Sequence, residues 1–106
     1  MKAIIKGKRY DTSKCELIGE TTSGGSHSDF HYWEAGLYRT PRTREYFIAG
    51  EGGPLTAYGH ATGDGNGRVG GERIVPVSPE DALAWAEANL TPELLERAFG
   101  SVIQDA

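Results

Sequence analysis

Short apolar runs rich in β-branched and aromatic residues, broken by glycine- and serine-rich turns, fill residues 1–77. From Ser78 onward the apolar residues recur instead every three or four positions. The first pattern predicts strands and the second helices. Ala3–Lys6 and Lys8–Tyr10 form an opening hairpin about Gly7, with strand propensity from Ile4, Ile5 and Tyr10. Asp11-Thr12-Ser13 is turn chemistry, because such side chains bond nearby backbone groups. Cys15–Glu20 is a strand carried by Leu17 and Ile18, and Thr21 to Ser28 is a polar loop. From Phe30 to Tyr38 the chain is aromatic, and alternation puts Phe30 and Tyr32 on one face of a strand and Trp33 on the other. Leu37–Arg39 and Glu45–Ala49 then pair about a turn at Thr40-Pro41-Arg42-Thr43, with Phe47 facing away from Tyr46 and Ile48. Gly59 to Gly71 holds six glycines and reads as a loop. Arg73–Val77 is a last strand, whose Pro76 lacks a ladder donor and so marks a strand end or a sheet edge.

Ser78-Pro79-Glu80-Asp81 is a helix start, with a capping hydroxyl and proline in the first turn. Leu83, Ala86 and Leu90 follow with helical spacing, joined by Trp85. Thr91-Pro92-Glu93 restarts a helix in the same way. Leu94, Leu95, Ala98, Phe99 and Val102 are its apolar stripe, and Gly100 interrupts or ends it. Strands in a run followed by helices in a run predict an α+β fold. The expectation is a mainly antiparallel, twisted sheet of four to six strands with two C-terminal helices packed on it. Residues 1–106 form one domain, β-rich over 1–77 and helical over 78–104.

At 106 residues the chain is long enough to bury roughly two-thirds of its unfolded surface without metals or disulfides. Cys15 is the single cysteine, so no intrachain disulfide forms, which favours a reducing, cytoplasmic setting. No apolar run reaches signal-peptide length or the roughly 20 residues that span a bilayer, so no membrane partner is expected. Charge is distributed unevenly. Residues 1–50 carry eight Lys/Arg against six Asp/Glu, whereas residues 51–106 carry three against nine. A basic end and an acidic end can steer a charged partner.

The motifs that suggest chemistry lack the context it needs. Gly65 to Gly70 matches GxGxxG, but a strand follows it where a phosphate cradle requires a helix N-terminus. Asp64-Gly65-Asn66-Gly67 resembles the start of a calcium loop, yet Val75 stands where the bidentate glutamate belongs. His27 and His31 are four apart on an extended segment, too far apart to share one metal, and His60 is remote in sequence. Glu34, Glu45 and Glu51, with His31, Tyr32 and Tyr38, are the material for an acid–base site. Salt bridges from Glu34 or Glu45 to Arg39 or Arg44 account for the same residues more simply. No catalytic residue, metal site or cofactor is expected. The Gly50-Glu51-Gly52-Gly53-Pro54 cluster signals backbone needing positive φ or close approach.

Arg39, Arg42 and Arg44 are the one dense basic patch, flanked by Tyr38, Tyr46 and Phe47. Such a tip suits docking on an acidic protein surface. It also suits gripping a phosphate and stacking a base, although a pI near 5.3 is unlike a nucleic-acid binder. A solvated turn with no binding role is the plain alternative. Glu93 and Glu96 on the second helix offer an acidic second surface.

KGKRYDT at the start, LYRTPRTREYFIAGEGGPLTAY in the centre, RIVPVSPEDALAWAEANL at the helix entry and ERAFG near the end together resemble a family of small bacterial proteins. Members are frequently encoded in phages, prophages and conjugative elements. The likeness covers most of the chain and departs from it in the Gly59–Gly71 loop. The resemblance implies a fold and a mobile-element origin, but no reaction and no catalytic residues. It further implies a class of action: occlusion of a host protein complex, as anti-CRISPR inhibitors do. The expected function is thus non-enzymatic protein–protein binding through Arg39, Arg42, Arg44, Glu93 and Glu96. A small nucleic-acid-binding or regulatory domain using the arginine-aromatic hairpin is the alternative.

Overall fold

Lys6 and Gly7 both take positive φ, 51° and 79°, and this two-residue turn folds β1 (Lys2–Ile5) onto β2 (Lys8–Asp11) in the computed structural model, which describes residues 1–106. A mirror-image turn of this kind matches the right-handed twist of the strands it joins. Asp11 then caps a single 3₁₀ turn at Thr12–Lys14, its carboxylate accepting the Ser13 N–H at 3.0 Å. Five more strands follow before the last: β3 (Glu16–Thr22), β4 (Trp33–Arg39), β5 (Tyr46–Gly52), and the short β6 (His60–Ala61) and β7 (Arg68–Val69). The last is β8 (Gly71–Val77). Strands β3-β4-β5-β8 form one antiparallel sheet in that order, while β1-β2 and β6-β7 are separate two-stranded pairs. Helices α1 (Pro79–Asn89) and α2 (Pro92–Phe99) close the chain, capped by Ser78 and Thr91. The fold is α+β, with helices packed on an antiparallel sheet.

The helices cover one face of the sheet and the opening hairpin covers part of the other, which splits the core in two. On one face Ile18 and Leu37 meet Ala82 and Ala86 of α1 and Phe99 of α2. On the other, Phe47, Ala49 and Ile74 lie under Tyr10 of the opening hairpin, whose ring meets Phe47 edge-on at 5.3 Å. The alternation in YFIA therefore sends Phe47 and Ala49 to the hairpin face and Tyr46 and Ile48 to the helix face. Pro76 sits on β8, an edge strand of the sheet, where its missing donor costs no internal ladder bond. A bulge between Leu17 and Gly19 shifts the face of everything after it on β3. Glu20 consequently pairs with Gly36 and lands on the hairpin face.

Three expectations need correction. Phe30 and Tyr32 are not strand residues: Tyr32 N–H reaches Asp29 O and His31 N–H reaches the Asp29 carboxylate, so local turns end just before β4 at Trp33. The Gly59–Gly71 segment is not all loop, because β6 and β7 pair within it about a turn at 62–67. Val102 leaves the apolar stripe, since α2 ends at Phe99 and a 3₁₀ turn leaves Val102 exposed.

Candidate functional site

Two charged surfaces lie at opposite ends of the main sheet. At the first, the β4–β5 connection is closed by Thr40 N–H to Glu45 O at 2.8 Å and Glu45 N–H to Thr40 Oγ1 at 2.9 Å. The tip between them holds Arg42 and Arg44, both exposed. Arg44 adopts φ 56°, a left-handed conformation that favours glycine or asparagine. Lys8 of β2 pairs with Glu45 at 2.5 Å and so fastens the opening hairpin beside this tip. Hydrogen bonding to Glu45 raises the Lys8 pKa, and the Lys8 ammonium lowers that of Glu45. Lys6, at φ 51° in the adjacent turn, is thus a second cation at a left-handed position. Between β2 and residues 40–43 runs an open groove of about 480 Å³, with Arg9, Lys14 and Arg42 on its walls and Tyr10 and Cys15 among its lining. These three cations take part in no ion pair.

Arg39 does not belong to that surface. Its side chain is 12% exposed, and its Nε and Nη2 grip Glu16 Oε1 at 2.9 and 2.6 Å. Its Nη1 approaches the Ala98 carbonyl at the end of α2 at 3.4 Å, and the guanidinium lies 6.0 Å from the Tyr46 ring centroid. Alternation decides this, since Arg39 shares the helix-covered face with Leu37. The expected ion pairs from Glu34 or Glu45 to Arg39 or Arg44 are replaced by Arg39–Glu16 and Lys8–Glu45. The flanking aromatics are likewise committed to packing. Phe47 is fully buried, Tyr38 stacks on it, and Tyr46 stacks on Phe99.

The second surface is a row of carboxylates where the hairpin face is uncovered. Glu34, Glu51 and Glu72 are successive cross-strand partners on β4, β5 and β8, and Glu20 on β3 joins them through the bulge. They border a shallow groove of about 260 Å³ together with Met1 and Thr12. Like charges directly opposite repel, and one proton relieves them. The facing carboxyls shift each other in opposite directions, raising the Glu51 pKa and lowering that of Glu34. Tyr32 Oη donates to Glu34 Oε2 at 2.8 Å, which further lowers the Glu34 pKa. His27 lies against Tyr32 with ring centroids 4.3 Å apart.

Glu93 stands in the first turn of α2 and Glu96 one turn later, both exposed and in no ion pair. The three histidines are not brought together: His31 sits beside Asp29 at 3.4 Å, and His60 lies on β6. No group of three His, Cys, Asp or Glu side chains is arranged to hold a metal. The Asp64 carboxylate accepts from Thr62 Oγ1 and the Asn66 N–H, an ordinary turn role. Gly50 serves close approach, since a Cβ there would collide with the Tyr58 ring. Lys8, Arg9, Lys14, Glu20 and Glu72 are the surface residues sequence reading missed. Only hairpin packing and strand register bring them in. Neither family models, nor curated proteins, nor solved structures yield a match to this chain.

Proposed function

We propose that this chain is a non-enzymatic binding protein that docks its basic end on an acidic surface of a partner protein. Two cations at left-handed positions carry the reading. Lys6 and Arg44 occupy backbone that glycine or asparagine would adopt with less strain, at adjacent tips of the same end. Strain of about 1 kcal/mol per such residue is retained where a side chain has a use. Arg42, Arg9 and Lys14 extend the same surface. The resemblance to phage-borne and mobile-element proteins makes the partner a host complex and the action inhibition by occlusion. Stacking of Tyr38 on the buried Phe47 and of Tyr46 on Phe99 engages these rings within the fold, which favours the protein-docking reading over a base-stacking platform.

Capture of partners by the tagged chain, compared with an Arg42→Glu/Arg44→Glu variant, tests the assignment. Partner recovery should fall at least tenfold while the melting temperature stays within about 3 °C. Undiminished recovery refutes it. Glu93→Lys/Glu96→Lys tests the acidic helix as a second surface in the same assay.

A further inference from the structure

Strand β2 has one strand partner, β1, and its other edge opens onto the basic groove. The pairing about the Lys6-Gly7 turn fixes which backbone groups face that groove. Thr12 N–H bonds Met1 O, so hydrogen-bonded pairs alternate back through Tyr10–Ala3 to Lys8–Ile5. Arg9 and Asp11 therefore turn their N–H groups away from β1, toward the side where all four β2 residues line the groove. The two carboxylates there are already engaged, Asp11 with Ser13 at 2.7 Å and 3.0 Å and Glu45 with Lys8. Arg9, Lys14 and Arg42 are left in no ion pair around an unfilled strand edge.

We infer that the partner element seated here is an extended acidic segment of a protein, which adds a third strand to β1–β2 along the β2 edge. This rests on the basic end being the docking surface. Main-chain bonds to Arg9 and Asp11 supply register and affinity, and alternate carboxylates meet Arg9, Lys14 and Arg42. A side-chain-only contact would leave the edge amides to water. A polyanionic nucleic acid could not bond an edge strand in ladder register.

The probe is an N-acetylated, C-amidated peptide of four Asp-Thr repeats, added at low salt to the ¹⁵N-labelled full chain. Two further versions carry N-methyl groups on every aspartate or on every threonine nitrogen. Binding should slow exchange of the Arg9 and Asp11 amides at least tenfold. One methylated series should bind at least tenfold more weakly than the other, because only alternate N–H groups face β2. Arg42→Glu should weaken the unmodified peptide by about tenfold. Equal binding by both methylated series, without amide protection, overturns strand addition and leaves the basic-end reading standing. No binding at millimolar peptide also overturns it, while partner capture judges the basic end independently. Tighter binding of a twelve-residue oligothymidylate that displaces the peptide overturns it in favour of a polyanion.

Discussion

Arg39 and Arg42 lie three residues apart and carry the same charge, yet their replacement by alanine should have opposite consequences. Arg39→Ala removes a forked contact to Glu16, an approach to the Ala98 carbonyl and a cation–π contact with Tyr46. Glu16 is 58% exposed, so solvent screens the ion pair to about 0.5–1 kcal/mol despite the 12% exposure of Arg39. The ring contact contributes about 0.5 kcal/mol. Loss of the packed aliphatic stem and the helix-end carbonyl partner adds about 0.5–1 kcal/mol. The total is about 2 kcal/mol. For 106 residues the unfolding entropy is about 0.2 kcal/mol per degree, so the melting temperature should fall by about 9 °C. Arg39→Lys keeps the charge and loses the planar fork, and should recover less than half of the deficit. Arg42→Ala, exposed and unpaired, should stay within about 2 °C. Thermal melts by circular dichroism, supported by urea titration, measure all three. An Arg39→Ala variant that melts within 2 °C of the parent refutes the reasoning. So does an Arg39→Ala variant that loses partner capture at unchanged stability.

Arg44→Gly should raise stability by about 0.5–1 kcal/mol, or about 2–5 °C, by removing left-handed strain, while weakening partner capture; a melt and a pull-down on one preparation read both. The raised pKa of Glu51 means its carboxyl favours the folded state below its ordinary value of 4.5 and loses that contribution as pH rises through the raised value. Glu51→Gln should therefore add about 0.5 kcal/mol at pH 7 and flatten the stability profile just above pH 4.5, as urea midpoints across pH would show. The lowered pKa of Glu34 acts in the opposite sense, its stabilisation present above 4.5 and lost only in stronger acid, so that limb should persist. A Cβ on Gly53 would stand 2.6 Å from the Phe30 carbonyl oxygen, which the backbone cannot yield cheaply. Gly53→Ala should cost about 1–3 kcal/mol by urea unfolding, and a cost below 0.5 kcal/mol would show that the 29–32 turn gives way.

Local chemistry was enough to place the helices, because Ser78 and Thr91 cap them through their own hydroxyls within three residues. The opening hairpin, the β4–β5 hairpin and the edge position of Pro76 were legible for the same reason: each depends on neighbours in the chain. Alternation also separated Phe47 from Tyr46 and Ile48. It could not say which face the helices would cover, and that choice turned Arg39 from a surface cation into a largely covered partner of Glu16. Of the carboxylate row, Glu34 and Glu51 were legible as hairpin neighbours, whereas Glu72 joins them only through register with β8 and Glu20 only through a bulge. The basic groove was hidden, since Lys8, Arg9 and Lys14 reach Arg42 only after the opening hairpin packs on Phe47. The sequence by itself determined the elements and their order, which are set by interactions over a few residues. Tertiary structure alone decided which charges became fold and which became surface, because burial and neutralisation depend on groups distant in the chain.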